Sequence, residues 1–217
     1  MFSYMIGEED VGSYRDTYNH TLGNFIKKDP CEMAKKSGTT FDPTGSSFIV
    51  PSLGQELVVR YPEGTVRFRG TVYTPLWSWR LIVLNHLARA DNAALTGSLI
   101  PYKELEAGYL FNPAFLKMAC VPIVDCFAHK PVDVIKNACS ALNAVFKEEG
   151  DVCAVFQFLP RFPITLKFWL SDAEIPGSAN FLFDAAANSY LHTEDIAVAA
   201  SLISTFLLAQ YEHTKQV

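Results

Sequence analysis

The chain has 217 residues, 49% of them hydrophobic and 19% charged, with a formal net charge of −5 at pH 7. So much apolar side chain offsets the ordering entropy of a closed core, which excludes disorder as a general description, and the length suits one α+β domain over residues 1–217. The negative balance, with no Lys/Arg run interleaved with aromatics, offers no field for a phosphate backbone and argues against a nucleic-acid partner. At the N-terminus, Met1 to Asp10 carry no basic segment and turn acidic before any apolar stretch develops. No signal sequence is read there, and the protein is expected in the cytoplasm.

Tyr14, Tyr18, Leu22 and Phe25 recur at helical spacing, and Asp29-Pro30 then restarts a short helix that Ser37-Gly38 closes. The period changes at Phe48-Ile49-Val50, Leu57-Val58-Val59 and Val66-Arg67-Phe68-Arg69, β-rich runs separated by Pro/Gly turns, which predict an antiparallel meander. Thr74-Pro75 reads as an N-cap followed by proline at the first helical position, opening a buried helix through Arg89. Asn112-Pro113 repeats those letters for a helix toward Ala128, with a kink expected at Pro122. Pro131 starts a third helix, with Ile135, Ala138, Leu142 and Val145 on its apolar stripe and Gly150 past its end.

Three strand-like runs follow, Val152 to Phe158, Ile164 to Leu170 and Ala179 to Phe183, and predict a second antiparallel meander. The last helix begins at Thr193, whose hydroxyl is placed to cap it, with Glu194 and Asp195 in the first turn and Ile196, Ala200, Ile203 and Leu207 on the core face. Its apolar window, Ile196 to Ala209, is shorter than the roughly 20 residues that span a bilayer, so it predicts a buried helix and no membrane partner. The expected architecture is α+β, with antiparallel sheets packed by several helices including this C-terminal one.

The common signatures of phosphate loops, dinucleotide folds, nucleophile elbows and zinc helices are absent from the sequence. Cys31, Cys120, Cys126, Cys139 and Cys153 are odd in number and lack cluster spacing, which predicts reduced, mostly buried thiols and neither a cofactor nor a bound metal. Asp125-Cys126-x-x-His129 could place a thiol and an imidazole on one helix face, although a core cysteine beside a helix-end histidine is written with the same letters. His86, on the apolar helix, is expected to be structural and hydrogen-bonded.

The most distinctive stretch runs from Leu159 to Asp195. Asp172, Glu174 and Asp184 fall at predicted strand ends, where a meander could gather them around a cation or a substrate, or where each could cap a turn and stay solvated. Arg161 sits between Pro160 and Pro163, which would aim its guanidinium at a carboxylate or phosphate, or pair it with a neighbouring acid. Trp169, at a strand end, offers a rigid apolar face. These five residues form the candidate ligand-binding set. A non-catalytic binding or accessory protein for an unidentified protein or small-molecule partner is the first reading. A metal-assisted hydrolase or lyase using the three carboxylates is the alternative.

The order Pro160-Arg161-x-Pro163, Trp169 followed by Asp172 and Glu174, Leu182-Phe183-Asp184, and Tyr190-Leu191-x-Thr193-Glu194-Asp195 resembles the C-terminal signature of the domain of unknown function 3786 family. Asp29-Pro30 with Ala34, Ser37-Gly38, the Leu-rich central helix and Tyr102-Lys103-Glu104-Leu105-x-x-Gly108 extend the likeness over most of the chain. The resemblance implies an uncharacterised protein of anaerobic bacteria and archaea. Some relatives add a cysteine-rich segment resembling that of corrinoid iron–sulfur proteins, which implies one-carbon or redox metabolism by association; this sequence has no such segment. Its acidic run after the Trp is also altered, with Ala173 and Ile175 flanking Glu174, so any side-chain role falls on Asp172, Glu174 and Asp184.

Overall fold

A computed structural model describes residues 2–8, 12 and 15–215; the expectation for Tyr14 lies outside them. The fold is α+β with three antiparallel sheets. The chain divides into two compact units: residues 1–94 with 159–161 and 189–191, and residues 95–158 with 162–188 and 192–217.

In the first unit β1 (Ile6–Gly7) pairs with β6 (Thr74–Pro75), and α1 (Arg15–Phe25) buries Phe25. α2 (Pro30–Ser37) begins as its letters require: the Asp29 carboxylate accepts the Glu32 N–H at 2.9 Å, and Pro30 opens the first turn. It ends at Gly38 with φ 74°, the left-handed position that glycine tolerates. β2 (Thr40–Asp42), β3 (Ser47–Ser52), β4 (Gln55–Arg60) and β5 (Val66–Phe68) then form a sheet in that order. Phe48, Val50, Leu57, Val59, Val66 and Phe68 line its buried face by the two-residue period of a strand.

α3 (Trp77–Arg89) packs on α1 and α2, and the Trp79 indole N–H donates to Ser52 Oγ at 2.9 Å. Thr74-Pro75 does not open this helix. It forms β6, where a proline lacking an N–H is tolerated in a two-residue edge pair, and Gly7 opposite is required because a Cβ there would lie 2.7 Å from the Pro75 carbonyl oxygen.

The second unit holds β7 (Leu99–Pro101), a 3-10 turn at Tyr102–Glu104, α4 (Gly108–Phe115), a π turn at Leu116–Cys120 and α5 (Val121–Phe127). α6 (Val132–Ala141), β8 (Val145–Lys147), β9 (Val152–Leu159), β10 (Phe162–Trp169), β11 (Ser178–Asp184) and α7 (Thr193–Lys215) follow. The sheet order is β7-β11-β10-β9-β8, the expected meander with an added strand on each edge. Ile196, Ala200, Ile203 and Leu207 are fully buried on α7, which packs on α6 and the π turn.

Two local expectations are corrected. The helix after β7 starts at Gly108, four residues before Asn112, and Pro113 lies inside it. Gly108 permits that start because a Cβ there would lie 2.0 Å from the Tyr102 carbonyl oxygen. Pro122 falls at the beginning of α5, directly after the π turn that interrupts the regular helix where a kink was expected. Val145 belongs to exposed β8, because Asn143 adopts φ 58° and stops α6. The Thr193 hydroxyl donates to the Glu106 carbonyl at 2.7 Å and accepts from Asn188 Nδ2 at 2.9 Å, so it ties α7 to the segment before α4.

Candidate functional site

The β10–β11 hairpin positions most of the candidate residues. Its register pairs Trp169 with Ser178 at one end and Ile164 with Phe183 at the other. In the connection between the strands, Asp172 Oδ1 accepts from the N–H groups of Glu174 (2.8 Å) and Ile175 (2.7 Å), an Asx turn, and the Asp172 N–H donates to the Ile175 carbonyl at 3.0 Å. Those two donors hold the Asp172 carboxyl below the usual carboxylate range. Glu174 is exposed on the same turn.

Trp169 ends β10 with 39% of its surface exposed, and a Cβ on Gly150 would lie 3.2 Å from its indole nitrogen. Asp151 fixes the strand end by accepting the Leu170 N–H at 2.8 Å. Together Asp151, Trp169, Asp172, Ile175, Pro176 and Ser178 line a hollow of about 380 Å³ that combines the apolar Trp169, Ile175 and Pro176 with the acidic Asp151 and Asp172. An indole plane beside acidic groups suits a planar or cationic ligand group, or an extended peptide.

Asp184 lies at the other end of the hairpin. At about 3.4 Å per residue, the six positions from Ser178 to Asp184 separate it from the hollow by about 20 Å. It is buried, and both oxygens are occupied: Oδ1 accepts from Thr96 N–H (3.0 Å), Thr96 Oγ–H (3.0 Å) and Ala186 N–H (2.9 Å), and Oδ2 from Gly97 N–H (2.8 Å). Burial pushes its carboxyl up, but these donors outweigh burial and leave it below the usual carboxylate range. Its geometry is that of an anchor for the turn leading into β7.

Arg161 belongs to the first unit. Pro160-Arg161 forms the two-residue turn between β9 and β10, and Arg161 takes φ 60°, a left-handed conformation at the turn's third position. Its Nη1 donates to Asn92 Oδ1 and, at 3.3 Å, to the Lys36 carbonyl in the last turn of α2, where the helix dipole favours a cation. Its Nε, Cγ and Cδ would lie 3.0–3.3 Å from a Cβ on Gly38, which explains why the chain carries glycine there beyond the need for a left-handed residue.

The structure therefore gathers Trp169, Asp172 and Glu174 at one hairpin end and leaves Asp184 at the other. Arg161 has its partners, Asn92 and Lys36, within the first unit. Among the described residues, no three His, Cys, Asp or Glu side chains come together as a metal-ion site.

The family described as Domain of unknown function (DUF3786) matches residues 29–205. This chain belongs to the DUF3786 family. No curated protein and no solved structure matches it.

Every candidate residue of this DUF3786 chain lies inside the matched range, and so do His86 and Cys126. His86 is fully buried in the first unit, with Nε2 3.2 Å from the Ser37 carbonyl oxygen and its ring stacked on Tyr190 at 5.9 Å. Burial lowers its pKa to about 4, which keeps the imidazole neutral. Burial also pushes the Cys126 thiol up, so little thiolate forms there at neutral pH, and it raises Cys120 to about 11 and Cys139 to about 12.

Two features of the DUF3786 fold escaped sequence reasoning. Asp151 and Ile175 reach the hollow by tertiary placement alone, with no pattern to mark them. The helical stretch Gly108–Phe127 keeps Tyr109, Leu110, Phe111, Leu116, Met118 and Val121 exposed. Its sequence signal, charges at only Lys117 and Asp125 over 20 residues, was available.

Proposed function

We infer that this DUF3786 chain is a non-catalytic binding or accessory protein that recognises an unidentified protein or small-molecule partner through the hollow at Trp169 and Asp172. The observation that carries the reading is the hairpin register. An enzyme that used Asp172, Glu174 and Asp184 around one cation would need their carboxylates within a few ångströms of it, whereas about 20 Å of strand separates Asp184 from the other two. Asp184 has also committed both oxygens to backbone and threonine donors. Trp169, in contrast, presents part of its indole over an open hollow, and aromatic side chains so placed are the usual anchors of recognition surfaces. The association with anaerobic one-carbon or redox metabolism rests on the family resemblance alone, and a place in the cytoplasm on the character of the N-terminal ten residues.

Affinity purification of the tagged protein from an anaerobic host, in parallel with Trp169→Ala and Asp172→Asn, tests the reading. The expected outcome is that Trp169→Ala melts like the parent protein but loses the co-purifying partner or metabolite. Full retention by both variants would remove the hollow as the binding surface. Concerted loss of a divalent-metal-dependent hydrolysis on mutating Asp172, Glu174 or Asp184 would favour the enzyme instead.

A further inference from the structure

The lining of the hollow beside Trp169 sets the sign of the charge it receives. Asp151 and Asp172 supply two carboxylates, Trp169, Ile175 and Pro176 supply apolar surface, and no Lys or Arg is among the lining residues. The basic residue two positions before Trp169 on β10, Lys167, is already paired with Glu149 at 2.5 Å. The second unit, which contains the whole hollow, also carries the chain's acidic excess: more than half of the Asp and Glu residues lie in it, and fewer than half of the Lys and Arg. A cation is therefore drawn toward this surface and an anion repelled.

Each carboxylate is fixed through one oxygen. Asp151 Oδ2 accepts the Leu170 N–H at 2.8 Å, and Asp172 Oδ1 accepts from Glu174 and Ile175. Asp151 Oδ1 and Asp172 Oδ2 take no hydrogen bond from the described residues, so each acid is held in place with one oxygen left to accept. The donors to Asp172 also keep it ionised at neutral pH. The indole of Trp169 is set at its nitrogen edge against Gly150, where a Cβ would lie 3.2 Å away, while 39% of the residue stays exposed. Taken as a sphere, a hollow of about 380 Å³ is about 9 Å across, so a group at its centre lies within the ~6 Å over which an indole ring attracts a cation.

The mixture of walls selects the kind of cation. A metal ion would use neither the indole nor Ile175 and Pro176. A lysine ammonium is compact and strongly hydrated, and gains little from an apolar plane. A guanidinium is planar and more weakly hydrated, stacks on an indole face, and keeps N–H donors at its rim for carboxylate oxygens. It uses the ring and both acids at once.

On the reading of this hollow as the binding surface, we propose that it receives a guanidinium group, stacked on Trp169 and hydrogen-bonded to Asp151 and Asp172. The group is carried by an arginine side chain of a partner protein or by a free guanidino compound.

Proton–nitrogen correlation spectra of the full chain contain one indole signal for each of the three tryptophans, and Trp169→Phe identifies that of Trp169. Titration with a blocked Gly-Arg-Gly peptide, its lysine and citrulline counterparts, and agmatine reads the site. The arginine peptide should move the Trp169 signal and leave those of Trp77 and Trp79 in place. The lysine peptide should bind several-fold more weakly, and the citrulline peptide, of the same shape without the charge, at least ~10-fold more weakly. Asp172→Asn keeps an acceptor for the Asx turn while removing the charge, and should weaken the arginine peptide at least ~5-fold. Agmatine as tight as the peptide would assign the guanidinium to a free compound, and a tighter peptide would assign it to a partner protein; both support the proposal. A Trp169 signal unmoved by ~20 mM arginine peptide would overturn it, as would citrulline binding equal to arginine, or indifference to both Asp172→Asn and Asp151→Asn. If Trp169→Ala still lost its co-purifying partner in that case, the hollow would remain the binding surface and the guanidinium alone would be withdrawn.

Discussion

Asp172 and Asp184 sit on the same hairpin, and the difference between them is one of surroundings. Asp172 closes an exposed Asx turn with two backbone donors, whereas Asp184 is buried and answers four donors on Thr96, Gly97 and Ala186. Removing Asp184 leaves backbone N–H groups without an acceptor in a place water reaches poorly, so Asp184→Ala should lose about 3 kcal/mol. Asp172→Ala should lose much less, because water replaces its carboxylate. Urea midpoints of the two variants measure the contrast; equal losses would show that the turn before β7 does not depend on Asp184. Arg161 follows the same logic. Its guanidinium supports the C-terminal turn of α2, and its backbone is left-handed in the tight turn between β9 and β10.

Among the elements, the α4–π–α5 stretch is where local signals and the fold disagreed most. Asn112-Pro113 carries good capping letters, yet the helix begins four residues earlier because Gly108 lets the backbone pass against the Tyr102 carbonyl. Gly108→Ala would set a Cβ 2.0 Å from that oxygen, a contact that only a backbone shift can relieve. The substitution should cost about 1–3 kcal/mol, as overpacking of a rigid site does, even though alanine is the better helix former. A thermal melt unchanged or raised in Gly108→Ala would mean that the 3-10 turn at Tyr102–Glu104 yields freely. α7 behaved otherwise. Its 3.6-residue apolar period picked out Ile196, Ala200, Ile203 and Leu207, all fully buried, because residues on one core face of a helix recur at that spacing; burial extends on either side to Ala197, Ala199, Leu202 and Phe206.

For the whole molecule, the buried ionisable groups set a direction for stability against pH. His86 titrates at about 4 in the folded chain and near 6.5 when unfolded, with burial as the chief cause and the Arg161 charge adding to it against the Ser37 hydrogen bond. Between those values the unfolded chain binds the extra proton. The contribution is therefore full above pH 6.5 and is lost as pH falls toward 4, amounting to about 3 kcal/mol. Asp184, also depressed, gives up its contribution at still lower pH. The urea midpoint should thus drop from pH 6.5 to 4.5, and His86→Phe should flatten that drop; parallel slopes would show that the imidazole is not the group responsible. By itself the sequence determined the α+β class, the two meanders, the buried residues it named on α7, the Asp29 and Gly38 caps and membership in DUF3786, all of which follow from local periodicity, backbone chemistry or the order of motifs. The tertiary structure alone decided which charged residues meet. Hairpin register sent Asp172 and Asp184 to opposite ends, and Arg161 found its partners in Asn92 and Lys36. The helix carrying Lys117 and Asp125 kept an apolar face exposed, because burial is a relation between segments distant in the chain and no local pattern encodes it.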